Sequence, residues 1–285
     1  MKKGYHIPLF WQEKEIRSMG EILLGMGYYE AVEIKYPFHL HDFDPSSYVA
    51  GIRGLVEDFR PEVTMHIPTN LDIGHVNTLI RSEIIDEIKR AIEFAAQLKA
   101  TVLPIHPGTI GMMDIPSEGS SVEKRHLIET SEIRKSKARS LTVEALMELS
   151  DLIATYSPMM KLAVENVLLP SEVVYTASQL DGILQAVGRP NVGALFDSGH
   201  AYRNGIRPDD FVRALLSDII HVHINDNDGT CDLHLSIGKG MIDFRSLFKA
   251  LKEKGYCGII VVETSFQRFE ELIEDSRKID LFWNS

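Results

Sequence analysis

The sequence predicts an α/β protein, a single closed (β/α)8 barrel of eight parallel strands spanning residues 1–285. Three observations predict it. Short apolar segments rich in Val and Ile recur along the whole chain. Each is too short for a helix and apolar without alternation, as a parallel strand covered on both faces should be. Between them lie stretches with apolar residues three and four apart and charges on the remaining face, the pattern of amphipathic helices. Most of the apolar segments also stop at a histidine or a carboxylate. Eight strand-helix repeats in 285 residues fit a closed barrel, typically about 250 residues long, better than an open doubly wound sheet.

The expected strands are GYHIPLF (Gly4 to Phe10), AVEIKYP (Ala31 to Pro37), EVTMHIP (Glu62 to Pro68) and ATVLPIHPG (Ala100 to Gly108), then KLAVENV (Lys161 to Val167), VGALFDSGH (Val192 to His200), IIHVHIND (Ile219 to Asp226) and GIIVVET (Gly258 to Thr264). Helical periodicity is clearest over Arg81 to Lys99, Asp209 to Ile219 and Phe244 to Gly255. The interval between the fourth and fifth strands is nearly twice the usual one. It holds a polar loop, Thr109 to Arg125, ahead of a long helical stretch near Ser131 to Tyr156. A loop of that length after a strand end reads as a lid over a ligand, with Met112 and Met113 as its apolar tip, or as a disordered segment.

Composition bounds the function classes. With 44% hydrophobic and 25% charged residues, the chain can bury a large core. No apolar run approaches the roughly 20 residues needed to cross a bilayer, and the residues after Met1-Lys2-Lys3 turn polar too soon for a signal peptide. Cys231 and Cys257 are the only cysteines, which gives no disulfide framework and leads us to expect a reducing, cytoplasmic setting. A net charge of -11 would repel nucleic acid and anionic membrane over most of the surface. No Pro-, Gly- or Ser-rich linker divides the chain, so one domain is expected.

In such a barrel the active site lies at the C-terminal strand ends, so polar residues there carry most of the chemistry. The third and fourth segments end in His66-Ile67-Pro68 and His106-Pro107-Gly108, where two imidazoles on adjacent strands could face one ion. Each is equally suited to a structural hydrogen bond. Glu165 closes the run LAV, and a carboxylate there needs a metal, a cation, a substrate hydroxyl or a salt bridge. Asp197 and His200, three apart around Gly199, can supply oxygen and nitrogen to one centre. Alternatively, Asp197 caps the next segment.

Further along, His221, His223 and Asn225 share one face of the seventh strand. His223 then reaches the rim and His221 lies in the core beneath it, while the role of Asp226 stays open. Asp232 and His234 follow as a second-metal clamp beside His223. The Gly238-Lys239-Gly240 turn could bring amides and an ammonium to an anion, or leave Lys239 solvated. Glu263 ends the last strand as the counterpart of Glu165, suited to hold an ion or move protons across a substrate. His6 and Glu33 are candidate substrate contacts at the first two strand ends, whereas His39, His41, His75 and His126 read as solvated.

These pieces, above all VEN, FDSGH, HVHINDNDG, DLHLSIGKG and VVET, resemble the xylose isomerase-like TIM barrels, which include sugar epimerases, inosose dehydratases and endonuclease IV-type AP endonucleases. The resemblance is clearest from the third strand onward. Its epimerase branch implies one divalent ion, zinc or manganese, on Glu165, Asp197, His223 and Glu263, with His200 near the substrate and the two glutamates exchanging a proton beside a carbonyl. Its endonuclease IV branch implies three zinc ions, with His66, His106, His200, Asp232 and His234 as additional ligands and hydrolysis of a phosphodiester.

The first strand lacks the Gly-x-His-x-Ser start of endonuclease IV, and IKYPFHLHD lacks its basic DNA-contacting segment. The resemblance therefore implies first a metal-dependent isomerase or epimerase of a small sugar, polyol or sugar phosphate, second a hydrolase of abasic DNA or another phosphoester, and third a binder that keeps the fold. Relatives of this kind are often homo-oligomers. Specificity is expected in the 109–125 loop and the first two strand-end loops.

Overall fold

Alternate residues of each short strand point into the barrel, and they change character along its axis. A computed structural model describes residues 1–37, 44–109, 121–168, 173–266 and 268–285, with 121–132 by backbone alone. The strands are β1 (Lys2–His6), β2 (Ala31–Lys35), β3 (Glu62–His66), β4 (Val102–Ile105), β5 (Lys161–Glu165), β6 (Val192–Asp197), β7 (Ile219–Ile224) and β8 (Ile259–Val262). They close in sequence order, β1 pairing with β8, and every pair is parallel. This is the (β/α)8 TIM barrel that the repeats predict.

At the lower end, the interior is small and apolar: Ala31, Ile259 and Val261 form one buried cluster, and Val102, Ala163 and Leu195 another. Gly4 belongs to the same floor, because a Cβ there would meet Val261, Ala31 and Ile259 at 3.2–3.3 Å. Two residues further on, the same face carries Glu165 after Ala163, Asp197 after Leu195 and Glu263 after Val261, with Glu33 after Ala31 one layer lower. The apolar floor therefore lifts a polar layer to the C-terminal mouth. The opposite strand faces, such as Val32, Ile34, Val63 and Met65, join the main core beneath the helices.

The surrounding helices are α1 (Glu13–Leu23), α2 (Ser46–Phe59), α3 (Thr78–Gln97), α4 (Ser121–Tyr156), α5 (Ala177–Val187), α6 (Ser198–Arg203), α7 (Pro208–Ala214), α8 (Phe244–Glu253) and α9 (Glu270–Trp283). Their ends follow local chemistry. Asn77 caps α3, Asp243 caps α8, and Thr176 with Gln179 forms a capping box on α5, which stops at Gly188 in the left-handed conformation.

Two expectations need correction. Helix α7 ends at Ala214 instead of running to Ile219, because the buried Asp181 carboxylate accepts the amides of Leu216 and Ser217 and draws the chain out of the helix. Helix α4 begins at Ser121, ten residues earlier than expected, so residues 121–125 are helix and not loop. That longer helix accounts for most of the wide β4–β5 interval. The expected lid tip, with Met112 and Met113, lies outside the described residues, as do His39 and His41. Its first residue is anchored: the Thr109 amide and hydroxyl donate to Asp72 at 3.0 and 3.1 Å. Among the described residues, no helix is long and apolar enough to cross a membrane.

Replacing the α5 cap by T176A should lower the unfolding free energy by about 1 kcal/mol. The urea midpoint should fall with an unchanged slope.

Candidate metal centre

Glu165 stands at the meeting point of four strand ends. Its Oε2 lies 3.3 Å from His66 Nε2 and 3.2 Å from His106 Nε2, and its Oε1 lies 3.2 Å from His200 Nδ1 and 3.6 Å from His223 Nδ1. Glu263 Oε2 approaches the same His223 Nδ1 at 3.0 Å. Glu165, Asp197, His223 and Glu263 each offer one donor atom, and the four lie within 4.8 Å of one another. All four are buried, Glu263 the least so at 9% exposure. Carboxylates packed this closely away from water require counter-charge.

Asp197 holds two roles that the sequence left as alternatives. Its Oδ1 accepts the His200 amide at 2.7 Å, capping α6, while its Oδ2 accepts Asn225 Nδ2 at 2.9 Å. Asn166 completes the brace, accepting the Asp197 amide and donating to its carbonyl. A Cβ on Gly199 would come within 1.8 Å of Asn225 Oδ1, so this turn needs glycine. The available signals for the two asparagines, to which the sequence assigned no role, were the adjacency of Asn166 to Glu165 and the period-two spacing of Asn225 from His223.

Two further groups flank the centre. His66, His106 and Glu165 form one, and His200, Asp232 and His234 the other. His66, His200 and His234 share a device: the Nδ1 of each lies 2.6–2.9 Å from a backbone carbonyl, of Ile67, Asn166 and Glu263 respectively. Donation there fixes the tautomer and turns Nε2 toward the carboxylates of the site. His234 holds its place with a left-handed backbone, φ 47°, strain of the kind found at functional sites.

Electrostatics follow from burial and pairing. Burial opposes charge on Glu165, yet His106, His200 and His223 outweigh it and hold the carboxyl well below the usual range. Glu263 is held low against burial, chiefly by His223. Burial raises Asp197. His200 and His223 resist burial and sit well above the usual imidazole range, the first chiefly through Asp197, the second through Glu33 and Glu263. His234 is pushed up to about 9 against burial, first by its bond to Asp232. Burial and Lys35 pull His6 down to about 4. Without an ion, the centre is thus neutralised by imidazolium.

The donor set fits a divalent cation. Oxygen and nitrogen donors converge, and among the described residues His223 Nδ1 has no aligned hydrogen-bond partner despite its two carboxylate neighbours. Zinc and manganese both accept such a set.

Three expected substrate contacts need individual treatment. Glu33 is wholly buried, with Oε2 2.9 Å from both Thr64 Oγ1 and His221 Nε2. It lies a layer below the rim, beside His221, which is in the core as expected. His6 faces inward with a buried Nε2 that has no hydrogen-bond partner among the described residues. Lys239 turns away and pairs with Glu271 at 3.0 Å.

The Gly238 and Gly240 amides donate to Asp226 Oδ2 at 2.8 and 2.9 Å, so the anion in this turn is the chain's own carboxylate. That corrects the reading of an open anion nest and gives Asp226 its role. The rim residue on β2 is Lys35, two residues beyond Glu33, with Nζ 3.9 Å from Glu263 Oε1. Sequence reasoning missed it because the apolar segment ran on through Tyr36 and Pro37.

The family model described as xylose isomerase-like TIM barrel matches residues 23–279. An uncharacterized protein of Methanocaldococcus jannaschii is 32% identical over 214 residues, covering 73% of this chain and 66% of its own length. An inosose isomerase of Halalkalibacterium halodurans is 32% identical over 143 residues, 48% of this chain and 50% of that protein. The chain thus spans about half the length of the curated inosose isomerase it matches. A solved D-tagatose 3-epimerase-like protein superposes with a TM-score of 0.75 at 25% identity, over 100% of this chain and 97% of the other.

Because the His223 imidazole in the four-residue set is held well above its usual range, a divalent ion entering the centre must displace its proton. Zinc uptake at pH 7 should release protons in a weakly buffered solution. Affinity should rise as pH increases from 6 to 9, measured by chelator competition; a flat profile would contradict this protonation pattern.

Proposed function

Because the chain belongs to the xylose isomerase-like TIM barrel family, we propose that it is a divalent-metal-dependent isomerase or epimerase of a small sugar, polyol or sugar phosphate. One observation carries the reading: two buried glutamates from non-adjacent strands, Glu165 and Glu263, face the same imidazole atom at 3.6 and 3.0 Å. The similarity to an inosose isomerase and to a 3-epimerase-like structure supports it.

Glu165, Asp197, His223 and Glu263 would hold the ion, zinc or manganese. When bound, it would draw charge onto the oxygens of a hydroxy-carbonyl substrate and so stabilise an enediolate. The chain's own residues handle the proton. One glutamate takes it from the carbon beside the carbonyl, and the other returns it to the opposite face or to the neighbouring carbon. Their burial keeps bulk water from competing for that proton. His200, fixed through its amide by Asp197 and through Nδ1 by the Asn166 carbonyl, presents Nε2 to a substrate oxygen. Lys35 at the mouth supplies a cation for a hydroxyl, carbonyl or phosphate oxygen.

A second reading has a specific observation behind it. Three histidines outside the four-residue set turn Nε2 toward a carboxylate, Glu165 for His66 and Asp232 for His200 and His234, and with His106 and Asp232 they bring the candidate ligands to nine. Three zinc ions there would suit phosphodiester hydrolysis. The net charge of -11 disfavours a nucleic-acid substrate, and we place this reading second.

Metal content and solvent exchange separate the two. With metal restored, deuterium should enter a carbon-bound position of at least one ketose or sugar phosphate in a panel, at one ion per chain. E165Q and E263Q should each reduce that exchange by roughly 10²–10⁴-fold. Three ions per chain, cleavage of an abasic-site duplex and no carbon exchange would replace the proposal with hydrolysis. K35M should raise KM about tenfold or more through loss of a charged hydrogen bond, with kcat changed less.

A further inference from the structure

Glu33 cannot touch a substrate, yet it makes the most confined carboxylate contact in the barrel. It reaches across the interior from β2 to β7, strands that are not neighbours in the sheet. Thr64 Oγ1 and His221 Nε2, each at 2.9 Å, hold its Oε2. Its Oε1 is left 2.9 Å from His223 Nε2. Neither of those two atoms has an aligned hydrogen-bond partner among the described residues. The other face of the same ring, Nδ1, looks toward Glu165 and Glu263.

We infer that Glu33 is a positioning residue that selects which nitrogen His223 offers to a metal: Nε2 carries the proton toward Glu33, and Nδ1 binds the ion. This inference rests on the metal-dependent reading above. It reverses the arrangement at His66, His200 and His234, where a backbone carbonyl holds Nδ1 and Nε2 faces a carboxylate of the site. The reversal has a physical cause. His223 lies within β7, where the strand carbonyls serve the sheet ladder and none is spare to orient the ring. A side chain from across the barrel must do so, and a carboxylate behind an imidazole also makes it a stronger ligand. Thr64 and His221 then serve to aim Glu33, which explains a hydroxyl and a second imidazole in an otherwise closed interior.

The test uses the full chain labelled with nitrogen-15 histidine and loaded with cadmium-113. Metal coupling at His223 Nδ1, with a proton on Nε2, is the expected result. Coupling at Nε2 would overturn the inference while leaving metal binding intact. If the unmodified protein takes up no divalent ion, the metal-dependent reading itself fails, and this inference with it.

Variants give a second readout. E33Q keeps the side chain's size without its charge and should weaken zinc binding about 10–100-fold in chelator competition. E33A should weaken it at least as much, and E33D should recover part of the loss. Folded E33Q and E33A, checked by circular dichroism, that bind zinc as tightly as the unmodified chain would overturn the inference. Should these variants fail to fold, the nitrogen spectrum of the unmodified protein decides.

Discussion

Glu33, Glu165, Asp197 and Glu263 bring four carboxylates into one barrel interior, none more than 9% exposed. Leaving such charges unbalanced would cost far more than the few kcal/mol by which a domain is stable. The surroundings of these groups are organised around that cost. His66, His106, His200 and His223 ring Glu165; His223 alone faces three of the carboxylates. In the ion-free state protons on imidazole provide the balance, and a divalent cation can take their place. The same requirement that keeps the interior neutral makes it a candidate site for a divalent cation.

Rigidity comes from the layer beneath. Small floor residues, Gly4, Ala31 and Ala163 among them, let the strands close tightly, and the polar layer rides on that floor. Asn166 and Asn225 then lock Asp197 from both sides, and backbone carbonyls lock three imidazoles. A site held this way changes little when it exchanges protons for an ion, which favours binding because little ordering remains to be done. Differences among relatives of one fold are expected to reside in the strand-end loops.

Much of the site was legible because barrel geometry converts position into location. A strand end is a rim position, so Glu165, Asp197, His200, His223 and Glu263 could be picked from their apolar runs, and the structure brings them together. His221 was read as core from the period of two, and it is. Depth within the barrel was harder. Glu33 resembled a rim residue, but its strand runs one inward position further, to Lys35. The Gly238-Lys239-Gly240 turn resembled an anion site; only the fold reveals that Asp226, twelve residues earlier, occupies it.

By itself, the sequence determined the strand-helix alternation, the closed parallel barrel and which carboxylates and histidines stand at the rim, because each follows from local periodicity and from where an apolar run stops. The tertiary structure alone decided what each charged group faces. Glu33 lies buried against His221 and His223, Lys239 pairs with Glu271, and Lys35 stands near Glu263. Those outcomes depend on strand stagger and on contacts across the barrel, such as the 2.9 Å approach of Glu33 to His223. No local pattern encodes them, since the partners stand far apart in sequence and meet only when the sheet closes.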